Sequence, residues 1–225
     1  MEVFNKLSGE TMREYIIRVL RKNIINLNLK PGQNISEIEI AEELGVSRTP
    51  IREAFIKLAH ENLLEVYPQK GTYVSLIDLN IVEEAKFLRL TLEKAIIQLV
   101  CRDISAQYIM ELEENLKRQE FCLNKGNFTK LLKLDDQFHH LFFKACQKER
   151  TYFLMDSFNS HFNRVRMLRL TANSDIDMIV SQHYKILAAI KEKDAEKAVR
   201  AVEVHLERLG IESELVQQQY SSYFK

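Results

Sequence analysis

Proline is almost missing from this chain. Its 225 residues hold three, Pro31, Pro50 and Pro68, and none lies beyond residue 68. Glycine is nearly as rare, and after Gly71 only Gly126 and Gly210 interrupt the pattern. So few breakers argue against a turn-rich β architecture for the last two thirds and for long amphipathic helices. Cysteine is scarce and odd in number. Cys101, Cys122 and Cys146 form no CxxC pair and sit in helical patterns, which excludes a disulfide framework and reads as reduced thiols in a cytoplasmic protein. Net charge is absent, with 32 basic and 32 acidic side chains. No global field therefore announces a polyanionic partner, and any such surface must be local. There is also no apolar run of signal-peptide or membrane-spanning length, so no membrane partner is expected.

What is present is concentrated in Gly45-Val46-Ser47-Arg48-Thr49-Pro50-Ile51-Arg52-Glu53-Ala54. Ser47 or Thr49 can cap a helix, and Pro50 suits its first turn. Ile51, Ala54, Phe55 and Leu58 recur at helical spacing, which leaves Arg48, Thr49, Arg52 and Lys57 outside. The stretch 35–45 reads as a shorter helix, with Ser36 and Glu39 as a capping box and Gly45 as its stop. Two helices around a turn of about four residues make a helix-turn-helix. Leu63–Pro68 and Thr72–Ser75 then read as two strands joined by Gln69-Lys70-Gly71, a hairpin with a basic tip. A short helix presenting such side chains at its N-terminal end is what a DNA major groove admits. Upstream, 12–27 reads as an amphipathic helix carrying Arg13, Arg21 and Lys22, Lys30-Pro31-Gly32 as a turn, and residues 1–8 as a loose arm.

These residues resemble the winged helix-turn-helix domain of the GntR family of bacterial transcription regulators. The match runs from residue 9 to 75. It is carried by Lys30-Pro31-Gly32, by the run Ala41 to Ala54, by Leu58 and Leu63-Leu64, and by Gly71-Thr72-Tyr73-Val74. The resemblance implies operator binding as a homodimer, with Ser47, Arg48, Thr49 and Arg52 at the major groove and Lys70 and Gly71 near the minor groove. Asn28 departs from the family, standing where a glycine is common.

After a short linker at 76–80, residues 81–225 read as an all-helical domain of six helices: 81–102, 105–124, 127–147, 149–171, 174–192 and 194–218. Asn127 can cap the third, and Asn173 or Ser174 the fifth, with Asp175 and Asp177 in its first turn. The end, from Gln217 on, is expected to fray. Asp135 and His139 are four apart and share a helix face with Phe138 and Phe142. His183 and His205 lean inward on two further helices. One Asp and three His can converge on a divalent metal, zinc first, with nickel, manganese or iron also suited. The same spacing also describes core histidines that are merely hydrogen-bonded, and His140 and His161 compete on the same grounds.

This second stretch resembles the FCD effector-binding and dimerisation domain of FadR-like GntR regulators, through Arg89-x-x-x-Glu93, Asp135-x-x-Phe138-His139, His183-x-x-Ile186-Leu187 and Ala198 followed by His205. Six helices suit the VanR-type branch better than the seven of the FadR branch. The resemblance implies Asp135, His139, His183 and His205 as metal ligands beneath a cavity for a small carboxylate effector. Arg89, Arg164 and Arg166 would contact that acid, with His161 lining the cavity. Arg89 with Glu93 also makes a plain intrahelical pair, and Arg164, Arg166 and Arg169 also suit a solvated face or an interface rim. Gln182 and Gln147-Lys148 depart from the family pattern around the pocket.

No HExxH, nucleophile elbow or glycine-rich phosphate loop is present, which argues against an enzyme. The expected function is a DNA-binding transcriptional regulator, a repressor by resemblance, controlled by a small acid. The alternative is a metal-dependent hydrolase with an accessory winged domain.

Overall fold

The computed structural model describes the backbone of residues 1–171 and 176–225, and their side chains except at 171, 176–177 and 208–215. The expected caps Asn173 and Ser174, with Asp175 and the Asp177 side chain, lie outside the described residues. The chain forms two units, Met1–Leu79 with Gln219–Lys225, and Asn80–Gln218. Among the described residues no helix is long and apolar enough to cross a membrane.

In the first unit α1 (Met12–Ile25) opens with a capping box in which Thr11 and Glu14 satisfy each other's amides. Helix α2 (Glu37–Leu44) starts at Ser36, whose hydroxyl accepts from Ile38 rather than joining Glu39 in a box. It stops at Gly45, held at φ +64°, where a side chain would be strained. Helix α3 (Arg48–His60) buries Ile51, Ala54, Phe55 and Leu58 against Ile16, Val19 and Leu20 of α1. Strands β2 (Leu64–Tyr67) and β3 (Gly71–Val74) form the hairpin, with Tyr67 opposite Gly71 and Leu64 opposite Val74. A third strand, β1 (Asn34–Ile35), pairs antiparallel with the other edge of β3, giving the order β1-β3-β2. Two residues carry no readable alternation, so periodicity could not have shown β1.

Both ends of the chain are more ordered than expected. The side-chain amide of Asn23, fully buried on α1, accepts from the Glu2 backbone at 2.7 Å and donates to its carbonyl at 2.8 Å. Phe4 packs on the same core. A buried amide needs partners, and the Glu2 backbone supplies two of them, beside the Val19 carbonyl and the Asn28 amide. At the other end, Phe224 is buried and bridges in parallel to Ile77, while Lys225 pairs with Asp78 at 3.2 Å. In the α1–β1 connection the left-handed positions are Leu27 (φ +63°) and Gly32 (φ +78°), with Asn28 donating to Asn23.

The second unit contains α4 (Leu79–Arg102), α5 (Ala106–Asn124), α6 (Phe128–Ala145), α7 (Glu149–Ser157), α8 (Ser160–Thr171), α9 (Ile176–Lys191) and α10 (Ala195–Gln219). That is seven helices over the described residues, not six. The segment 149–171 breaks because Ser157 turns its hydroxyl onto the Leu154 carbonyl and the Asn159 amide closes on Asp156. Helix α6 buries Leu131, Leu134, Asp135, Phe138, His139 and Phe142, a stripe of i, i+3, i+4 periodicity. Asp135 and His139 are therefore carried into the core by the same apolar pattern that holds the helix there. Cys101 and Cys122 are buried and Cys146 half-buried, all as free thiols.

Candidate nucleic-acid interface and metal centre

On the first unit the exposed side of α3 presents Arg48, Thr49 and Arg52 at its first two turns. Ser47 occupies the N-cap position without spending its hydroxyl on a cap bond. Arg48 is 3.6 Å from Glu37, an exposed and weak pairing. Arg21, by contrast, is held bidentately by Glu61 at 2.6–3.1 Å. Lys70 is exposed in the three-residue loop between Tyr67 and Gly71. Tyr73 braces that loop by donating from its hydroxyl to the Lys70 carbonyl. Gly71 stands at φ +109°, and a Cβ there would lie 2.9 Å from Asn34 Nδ2. The wing tip thus requires glycine at this point.

The second unit brings Asp135, His139, His183 and His205 together, all buried, with one ligand atom from each inside a 4.8 Å group. His139 Nε2 and His205 Nε2 are 3.2 Å apart, and His183 Nε2 and His205 Nε2 are 3.3 Å apart. Asp135 Oδ1 lies 3.3 Å from His183 Nε2. Donors about 2.05 Å from a tetrahedral ion stand ~3.3 Å from one another, so the spacing suits a first-row divalent metal.

The protons decide whether these contacts can be ordinary hydrogen bonds. Each imidazole turns Nδ1 to an oxygen: His139 to Glu93 at 2.6 Å, His183 to Gln119 at 2.8 Å, His205 to Gln182 at 3.1 Å. The Gln119 orientation is set by its own amide nitrogen, which donates to Asn115 Oδ1 at 2.7 Å, while Asn115 Nδ2 donates to the Leu134 carbonyl. Nδ1 therefore carries the hydrogen in each neutral ring, and three Nε2 lone pairs point at one another beside a carboxylate. Acceptors crowded together repel, and a cation is what relieves them. Burial first, and then the neighbouring imidazoles, hold His205 well below its ordinary pKa; burial also lowers His139 against the opposing pull of Glu93. Neutral imidazole is the ligating form. Burial alone would raise the Glu93 carboxyl, but His139 and Arg89 outweigh it and bring it to about 2.

Gln119 and Asn115 were missed in the sequence. Their signal was there: two polar residues four apart on the buried stripe of α5 with Leu112 and Leu116. Gln182, noted only as a departure, supports His205, and Glu93 serves His139 while also receiving Arg89 Nε at 2.6 Å. The intrahelical Arg89–Glu93 pair exists, but in the core rather than in solvent. Arg164, Arg166 and Arg169 are buried as well, which removes the reading of a solvated face. Arg166 and Arg169 line a cavity with Asp135, His205, Leu131, Leu132, Leu170 and Ile179; Arg89, Arg164 and His161 lie buried outside that lining. His140 stacks on Tyr152 at 4.2 Å, away from the cluster.

A winged helix-turn-helix followed by a helical domain with a buried Asp/His cluster defines a class of DNA-binding transcriptional regulators. Comparison with known families agrees. Residues 12–74 match the bacterial regulatory proteins of the gntR family, and residues 85–208 match the FCD domain. The chain belongs to the GntR family and carries an FCD domain. Its relatives include the HTH-type transcriptional repressor RspR of Escherichia coli, 29% identical over 96% of this chain and 94% of that one. A second is an HTH-type transcriptional regulator of Streptomyces ambofaciens, 33% identical over 88% of this chain and 84% of that one. The solved structure of E. coli McbR/YncC superposes with a TM-score of 0.78 at 22% identity, covering 94% of this chain and 99% of that one, and so shares the fold. The protein is a transcriptional regulator and not an enzyme. Seven helices rather than six remove the count that had favoured the VanR-type branch.

Proposed function

We propose that this protein is a cytoplasmic, homodimeric repressor whose operator affinity is set by a small carboxylate bound beside a divalent metal, zinc first. DNA contact is assigned to Ser47, Arg48, Thr49, Arg52, Lys70 and Gly71, and the metal to Asp135, His139, His183 and His205. The observation that carries the reading is the convergence of three Nε2 atoms and one carboxylate in a buried site, with each Nδ1 turned to an oxygen. A bound metal would supply a Lewis-acidic anchor for the acid's oxygen. The chain supplies the rest: Arg166 and Arg169 give positive charge at the cavity wall, and Leu131, Leu132 and Leu170 give an apolar side. The relative RspR is named a repressor, which supports the sign of regulation.

The cavity itself measures about 20 Å³, room for about one water molecule. A carboxylic acid therefore enters only if its walls on α6, α8, α9 and α10 move apart. Ligand binding and rearrangement of the helices are then one event, which is what coupling to a second site requires. The test is operator affinity by fluorescence anisotropy at fixed salt, on DNA from upstream of the protein's own gene, with a panel of small mono- and dicarboxylic acids. One or more acids should change the affinity at least about fivefold, the lower range of allosteric coupling. No change with any acid, on protein shown to contain metal, would remove the effector from the scheme.

A further inference from the structure

The two oxygens of Asp135 are treated differently. Oδ1 lies with the convergent nitrogens, 3.3 Å from His183 Nε2. Oδ2 is the oxygen that faces His139, 3.9 Å from its Nε2, and it receives a hydrogen bond from Arg166 Nη2, with Arg89 Nη2 3.8 Å away. Arg166 is itself fixed. Nη1 donates to Asn163 Oδ1 and to Asp136 Oδ1, each at 2.7 Å, and the guanidinium carbon lies 5.7 Å from the centre of the Phe162 ring. The side chain is 5% exposed and lines the cavity.

We infer that Arg166 is a positioning residue that makes Asp135 a one-oxygen ligand, keeping the remaining space at the metal for an anion from the cavity. The inference rests on the metal reading above. A carboxylate whose second oxygen is unengaged can swing to give a cation both oxygens. A charge-assisted bond from a guanidinium anchored at three points opposes that swing. Partners behind a ligand are known to orient it in this manner. Asn163 and Asp136 hold the far nitrogen, so the guanidinium cannot follow the carboxylate if it turns. The same residue thus sets how Asp135 ligates and lines the cavity beside it.

Cobalt(II) is the probe, because its visible bands lose intensity as ligand atoms are added. The chelator-treated full-length protein, Arg166→Met, Arg166→Lys and Asn163→Ala are each loaded with cobalt and then titrated with sodium acetate at constant ionic strength. The wild type should show a spectrum that acetate alters. Arg166→Met should show weaker bands and lose the acetate response, as the freed Oδ2 takes the position. Arg166→Lys, which keeps a donor for Oδ2, should stay close to the wild type. Asn163→Ala, which loosens the guanidinium without removing it, should shift the spectrum part of the way. It decides the matter if Arg166→Met does not fold, and an unchanged Asn163→Ala spectrum then overturns the inference. A folded Arg166→Met protein with the wild-type spectrum and acetate response, or one that no longer takes cobalt, also overturns it. A wild type that takes up no cobalt sinks the metal reading itself, before any variant is compared.

Discussion

Removing the His183 imidazole should erase most of the protein's thermal response to zinc. The metal binds the folded chain and not the unfolded one, so it stabilises by RT ln(1 + [Zn]/Kd), about 2.7 kcal/mol at a hundredfold excess over Kd. A unit spanning Asn80–Gln218 unfolds with an entropy of ~2.1 cal/mol/K per residue, or roughly 0.3 kcal/mol/K in total. The zinc-bound wild type should therefore melt about 9 °C above the chelated form. His183 supplies one of the three Nε2 donors. If its loss weakens binding about a hundredfold, the same zinc concentration only equals the new Kd, and the stabilisation falls to ~0.4 kcal/mol, between 1 and 2 °C. The alanine will also lower the baseline, because His183 stacks on Phe138 at 4.4 Å and donates from Nδ1 to the Gln119 oxygen. The quantity to compare is thus the zinc-induced increment within each protein, read by circular dichroism on chelator-treated samples. Equal increments in wild type and His183→Ala, or no increment in the wild type, would refute the assignment of these four residues to a metal.

Three further outcomes follow from the same geometry. Arg52→Ala should weaken operator binding by about 1–3 kcal/mol in a gel shift at fixed salt while leaving the melting curve unchanged, since the side chain is exposed; unaltered binding would mean that α3 is not the element reading DNA. Gly71→Ala forces a side chain into φ +109° and against Asn34 Nδ2, so denaturant titration should show a loss of roughly 1–2 kcal/mol, and no loss would contradict the wing geometry. The metal-free protein should lose stability between about pH 7.5 and pH 5.5, because burial holds His139 and His205 below their ordinary value of 6.5, so the unfolded chain takes up protons that the folded chain refuses. Glu93 does not offset this loss: its carboxyl, lowered from 4.5 to about 2, adds stability that is complete above 4.5 and lost only in stronger acid. A flat melting temperature over that range would show that these rings are not held neutral.

The DNA-binding half was legible wherever the chemistry is local. A glycine at a left-handed stop, Gly45, a proline in a first turn, Pro50, and an apolar stripe at Ile51, Ala54, Phe55 and Leu58 each act within a few residues, and their order is enough to identify the two helices and the turn. The hairpin followed from Gly71 and its flanking runs. What failed there was what depends on distant partners. Strand β1 exists because β3 has a second edge, Glu2 is held because the Asn23 amide is buried, and Phe224 is held because Ile77 offers it a strand edge. None of these leaves a period in the chain.

The sequence by itself determined that Asp135 and His139 share a face, because an α-helix repeats every 3.6 residues wherever it lies. It also determined that His183 and His205 lean toward apolar neighbours, and that the last two thirds are helical. Only the tertiary structure decided that three rings from α6, α9 and α10 meet through Nε2, because Glu93, Gln119 and Gln182 arrive from α4, α5 and α9 to accept hydrogen bonds from Nδ1. It likewise decided that Arg166 stands on Asp135 in the core instead of in water. Helical periodicity says which way a side chain points; which oxygen it meets depends on where the other helices pack, and that packing is settled by the whole buried surface at once.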